Sequence, residues 1–127
     1  MNDSQKLEGT KLADFSPLDA VAQLEITDTV IGTGEEVPEG ATITAHYTGA
    51  LCKDGTIFQS SHDFGEAITF PLDRVIAGWT QGVPGMKVGG IRRLVIPSAM
   101  AYGSARASAN IPPNSDLVFD IELVAIA

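Results

Sequence analysis

The sequence predicts an α+β fold in which a curved antiparallel β-sheet, a half-barrel, wraps around one short α-helix. Three observations carry this. Strand-length segments with two-residue alternation predominate, their links are of hairpin length, and the one helical pattern is barely two turns long and comes late. A βαβ architecture would instead alternate strands with helices of crossover length.

Residues 1–22 are polar, interrupted by Gly9 and Pro17, and read as a tail or loosely docked arm ahead of a domain over 23–127. Leu24, Ile26 and Val30 alternate with Glu25 and Thr27 in a half-buried strand that stops at Gly32-Thr33-Gly34. Pro38 and Gly40 make the next turn. Ile43, Ala45, Tyr47 and Leu51 then fall on one face of a long strand, with Thr42, Thr44, His46 and Thr48 on the other. Lys53-Asp54-Gly55 turns the chain into a strand at Thr56-Ile57-Phe58, and Ile68-Thr69-Phe70 is a short strand ended by Pro71.

Asp73 is placed to cap a helix whose Val75, Ile76 and Trp79 share one face, and Gly82 and Pro84 end it. A helix this short is unstable alone and has to pack on the sheet. Ile91–Ile96 is another strand, Tyr102–Pro113 a loop rich in Gly, Ala and Ser, and Leu117, Phe119, Ile121 and Leu123 are the inward positions of the last strand.

The chain of 127 residues is one domain by length, and 44% hydrophobic with 19% charged residues is a globular composition. No apolar run approaches the ~20 residues of a membrane span. A net charge of -8 repels polyanions, and the basic residues are scattered apart from Arg92-Arg93, which excludes nucleic acid as a partner. One cysteine and two histidines make neither an internal disulfide nor a metal constellation. The N-terminus lacks the basic-then-apolar order of a secretory signal, so a cytoplasmic protein is expected, though a processed precursor restarted with Met reads the same. The polar tail is too short for a helical dimerisation arm, and a monomer is expected.

Acid–base machinery is not evident. Ser60, Ser61, His62 and Asp63 are adjacent in sequence and read as a polar loop, His46 as a structural histidine, and Cys52 as an inert thiol. Arg92 and Arg93 take alternate faces of one strand, one solvated and one half-buried against a carboxylate. Gly85–Gly90 fails the phosphate-loop pattern. What remains is a supply of inward aromatic and branched side chains, which serve either as core or as a pocket with one wet end.

Five segments together resemble one family. HYTG at 46–49, DG-x-x-F at 54–58, VIAGW at 75–79, AYG at 101–103 and IPP-x-SDLVFDIEL at 111–123 look like the FKBP-type peptidyl-prolyl isomerases, in order and spacing, over about residues 24–126. The resemblance implies a proline-accepting pocket with Trp79 at its base and Tyr47, Phe58, Val75, Ile76, Tyr102, Ile111 and Phe119 as walls. Ile68 stands where the family often has an aromatic. Gln59 stands where the family commonly has Asp, replacing a carboxylate by a neutral amide that can still accept a hydrogen bond.

The implied partners are proline-containing polypeptides, in a role assisting protein folding, and tacrolimus- or rapamycin-type macrolides. No cofactor and no metal are implied. The loop GSARASAN, 103–110, leaves no room for the inserted chaperone domain of some relatives, which weakens a holdase reading. An isomerase is expected, and a proline-motif or macrolide binding module with incidental turnover is the alternative. For an isomerase the resemblance puts the proline ring on Trp79, with the Ile76 N–H and the Tyr102 hydroxyl on substrate carbonyls.

Overall fold

The computed structural model describes residues 7–104 and 111–126, so six residues of the predicted 102–113 loop, at 105–110, lie outside the described residues. Six strands are joined in one antiparallel sheet: β1 (Glu25–Val30), β2 (Thr42–Leu51), β3 (Ile57–Ser60), β4 (Ile68–Pro71), β5 (Ile91–Ile96) and β6 (Leu117–Ile126). The order is β1-β5-β6-β2-β3, with β4 pairing the first half of β2 where β3 pairs the second. One helix, α1 (Ala77–Gly82), packs against β5. Among the described residues no helix is long and apolar enough to cross a membrane.

The centre of the sheet is the β2–β6 ladder, which runs from Ile43 opposite Ile126 to Leu51 opposite Leu117. Its two-residue alternation separates two apolar clusters. Ile43, Ala45, Tyr47, Leu94, Ile96, Leu117, Phe119 and Ile121 face α1, while Ala50, Cys52, Ile57, Val95 and Val118 belong to a second cluster. The second cluster receives the N-terminal arm.

Over its described residues, 7–22, the arm is not loosely held. Leu12 is buried in the second cluster with Phe15, Leu18 and Val21 packed on it, and Lys11 bridges to Thr56. Backbone hydrogen bonds link Gly9 to Ile57 (2.8 Å), Leu12 to Gly55 (2.8 Å) and Leu18 to Cys52 (2.8 Å). A further device is Arg93, which donates to the carbonyls of Ala13 (3.0 Å) and Asp14 (2.7 Å) while its guanidinium lies over the Phe15 ring. The sequence reading missed this because Leu12, Phe15, Leu18 and Val21 recur every third residue, which is not the two-residue period of a strand, and Pro17 interrupts any helical stripe.

Three other expectations are corrected. First, β1 forms but is exposed along its whole length, with Ile26 and Val30 each 46% exposed, because it is the outermost strand and neither face is covered. Second, both arginines are paired. Arg92 is buried and binds Asp28 through two contacts (2.7 and 3.1 Å), the residue facing it across the ladder, and also donates to the carbonyls of Gly82 (2.8 Å) and Pro84 (3.2 Å) at the end of α1. Arg93 takes Asp120 in the same way on the other side. A pattern of alternating faces shows that two arginines diverge but not what each one meets.

Third, the helix starts later than the capping pattern suggests. Leu72–Arg74 is a separate 3₁₀ turn, Val75 and Ile76 are extended, and Ile76 (φ -60°, ψ 150°) is the N-cap of α1. Both are β-branched and so suit extended backbone, and the Thr80 hydroxyl ties the two turns together by donating to the Leu72 carbonyl (2.6 Å). The displaced start matters for the site.

Candidate functional site

A cavity of about 520 Å³ opens between α1 and the sheet, within the range of small-molecule and peptide pockets. Its floor is Trp79, buried, with its ring edge-to-face against Tyr47 (5.7 Å), Phe70 (5.0 Å) and Phe119 (5.4 Å). Phe58 stands perpendicular to Phe119 at 5.7 Å. Aromatic rings favour such tilted contacts because the electron-poor edge of one meets the electron-rich face of the next. The result is a rigid apolar box.

Gly49 lets that box close. An ideal Cβ there would lie 2.6 Å from Phe58 Cζ and 2.7 Å from Phe119 Cε2, so only a residue without a side chain permits both rings to settle on β2. Val75 and Ile76 line the side next to α1, and Tyr102, 41% exposed, stands at the wet end. The late helix start has placed Ile76 in extended backbone beside the cavity. Its carbonyl accepts from the N–H groups of Trp79 (2.9 Å) and Thr80 (3.1 Å), while its own N–H has no hydrogen-bond partner among the described residues.

The polar support lies behind Tyr47. Its hydroxyl donates to Gln59 Oε1 (2.7 Å), and its backbone N–H donates to the Ser61 hydroxyl (2.8 Å). Ser60 and Ser61 are therefore buried parts of the scaffold and not a solvated loop; Ser61 also pairs with His46 Nδ1 (2.9 Å), and Ser60 with Thr48 (2.9 Å). His46 in turn stacks on His62, with ring centroids 4.3 Å apart, as a structural histidine does. Burial, with Tyr102 nearby, raises the Tyr47 hydroxyl above its ordinary range, so it remains a proton donor at neutral pH. Cys52 lies on the other face of the sheet, fully buried, and that burial pushes its thiol up to about 12.

Of the residues read from the sequence, Tyr47, Phe58, Gln59, Val75, Ile76, Trp79, Tyr102 and Phe119 line the cavity together. Ile68 and Ile111 do not. Ile68 is half-buried at the edge of the main core, and Ile111 is buried within it. The cavity wall expected of Ile68 is supplied by Phe70, two residues along the same strand and so on the same face. That alternation was available in the sequence. Arg74, which also lines the cavity, had no such signal, because a cation in a turn points wherever the fold leaves room.

Among the described residues no cluster of three metal-ligating side chains exists, and the cavity offers no nucleophile beside a base. What it offers is an apolar cleft, open to solvent beside Tyr102 and Arg74, with isolated donors. Trp79 Nε1 is a different case, a buried donor without a partner among the described residues. An unpaired buried donor costs about 1–3 kcal/mol, and this one is held away from the surface where a ligand could reach it.

A family model described as FKBP-type peptidyl-prolyl cis-trans isomerase matches residues 33–124, which hold β2 to β5, α1 and most of β6. The chain belongs to that family. Within it, the peptidyl-prolyl cis-trans isomerase FPR2 of Saccharomyces cerevisiae is 52% identical over 89 residues, covering 68% of this chain and 66% of its own length. An FK506-binding protein of Neisseria meningitidis is 44% identical over 108 residues, covering 84% of this chain and 98% of its own length. The crystal structure of a peptidyl-prolyl cis-trans isomerase from Pseudomonas syringae superposes with a TM-score of 0.74 at 39% identity, over 82% of this chain and 75% of that one. The chain thus spans about two thirds of the yeast FKBP-type relative and nearly the whole of the Neisseria one.

Proposed function

We propose that this chain accelerates cis–trans rotation about Xaa-Pro bonds of polypeptides and so assists their folding. The observation that supports this reading best is the aromatic cavity floored by Trp79, beside which the Ile76 N–H has no partner among the described residues. Rotation about an X-Pro bond crosses a barrier of ~18–20 kcal/mol because it breaks amide resonance, and it requires no proton transfer. The twisted amide is less dipolar than the planar one. A water-poor apolar enclosure therefore disfavours the planar ground state more than the transition state, and that difference lowers the barrier.

In this reading the proline ring lies on Trp79, and Phe58 and Phe119 exclude water. The Ile76 N–H and the Tyr102 hydroxyl hold substrate carbonyls, each contributing about 1 kcal/mol net. This orients the chain without gripping one sequence tightly. Measured rates of short Xaa-Pro peptides with wild type and Phe58→Ala test it: wild type accelerates, and the variant, held folded as judged by near-ultraviolet circular dichroism, loses most of the effect. If wild type is no faster than buffer, the enzyme reading is lost.

The same cavity is the place for a macrolide, and the Neisseria relative carries FK506 in its name. Gln59 bears on that second reading. Its Oε1 is already engaged by Tyr47 and brings no charge to meet a ligand hydroxyl, so macrolide affinity depends on apolar contact more than turnover does. Titration of Trp79 fluorescence with FK506 measures it directly.

A further inference from the structure

We propose that the cavity selects prolyl peptides carrying a carboxylate close to the proline, and that Arg74 is the residue that reads it. This rests on the isomerase reading above. Among the described residues Arg74 is the one charged side chain that lines the cavity. It is exposed, and it has neither an ion-pair nor a hydrogen-bond partner among those residues. Arg92 and Arg93, by contrast, are both committed to carboxylates. Five guanidinium donors therefore stand unused at a substrate cavity.

The stem of Arg74 is held although its tip is not. The 3₁₀ turn that carries it is anchored by the fully buried Leu72, whose N–H donates to the Ala41 carbonyl (2.9 Å) and whose carbonyl accepts from Thr80 (2.6 Å). No lining side chain competes for the guanidinium, since Gln59 is neutral and bonded to Tyr47. The chain's net charge of -8 opposes a polyanion at long range, but at physiological salt that field is screened beyond about 8 Å. One carboxylate at contact distance from Arg74 is attracted, and it can pair with both arms of the fork.

The expected size is modest. Exposed ion pairs are worth about 0.2–1 kcal/mol, which is about 1.4- to 5-fold in an equilibrium. The test uses peptide pairs that differ only by Glu or Gln at each position flanking the Xaa-Pro bond, with kcat/KM measured at low and high salt. Wild type is expected to prefer Glu by about 3-fold at one position or more, less so at high salt. Arg74→Gln brings the ratio to one, Arg74→Glu inverts it, and Arg74→Lys retains most of it.

Wild type that accelerates neutral peptides but shows a ratio of one at every position overturns the proposal and leaves the isomerase reading intact. So does a preference that survives in Arg74→Glu. If no peptide is accelerated, the isomerase reading is lost, and the same peptide pairs titrated against Trp79 fluorescence decide the charge preference. Equal affinities then overturn it, and an Arg74-dependent difference supports it.

Discussion

Ile76→Pro removes one backbone donor at a position whose backbone already suits proline. At Ile76 φ is -60°, within the range that a proline ring imposes, and Val75 before it is extended (φ -117°, ψ 179°), as a residue preceding proline has to be. The Ile76 N–H has no partner among the described residues, so its loss breaks no hydrogen bond to them. The position is also the N-cap of α1, where proline does not interrupt the helical ladder. The side chain changes as well, and Ile76→Ala is the reference that separates the two effects. Relative to it, proline should leave stability unchanged or raise it by up to about 1 kcal/mol by restricting the unfolded chain. If the N–H holds a substrate carbonyl at about 1 kcal/mol, kcat/KM should fall about 5-fold below that of Ile76→Ala. Urea melts and a prolyl-peptide assay on the two variants measure both quantities. A folded Ile76→Pro that matches Ile76→Ala in kcat/KM would show that the N–H does not act on substrate.

Gly49→Ala opposes a backbone gain of up to about 1 kcal/mol to an overpacking cost of about 1–3 kcal/mol, and the rings cannot yield freely because they brace each other; a net loss near 1 kcal/mol and weaker peptide binding are expected by urea melt and Trp79 fluorescence. Arg92→Met leaves the carbonyls of Gly82 and Pro84 without their donor while the exposed Asp28 returns to water, and should cost about 1–3 kcal/mol in a denaturant melt, with no loss contradicting the pairing. Hydrogen bonding from Arg92 holds the Asp28 carboxyl below its ordinary range, so its stabilisation is present above that range and lost as pH falls through the lowered value; Asp28→Asn should flatten the acid limb of a stability–pH curve. The Cys52 thiol, raised from 9.0 to about 12, contributes fully below 9.0 and loses its contribution as pH climbs toward 12, so the native protein should resist thiol reagents at pH 8 and react only on unfolding. Turnover should be flat between pH 6 and 8, since the cavity's chemistry moves no proton, and a steep titration there would contradict the proposed mechanism.

Much of the fold was legible because period-2 alternation reports burial directly. Ile43, Ala45 and Tyr47 on β2, and Leu117, Phe119, Ile121 and Leu123 on β6, face the main core as their spacing predicts. The same rule applied to β1 misled, since alternation reports a capacity to be half-buried and not whether a neighbour arrives to cover the face. Helix limits were legible at the end, where Gly82 terminates α1, and not at the start, where Asp73 had the chemistry of a cap but the chain placed a separate turn.

By itself the sequence determined the sheet's strands, the inward aromatic set and, through five linked motifs, the family. These are carried by residue type and local spacing, which the chain holds before it folds. Only the tertiary structure decided that Phe70 and not Ile68 walls the cavity, that the N-terminal arm is clamped by Arg93, and that among the described residues the Ile76 N–H is left without a partner and Arg74 reaches the cavity unpaired. Each of these is a contact, or the lack of one, between groups distant along the chain. Local periodicity places a side chain on a face, and what it meets there depends on how the other elements close around it.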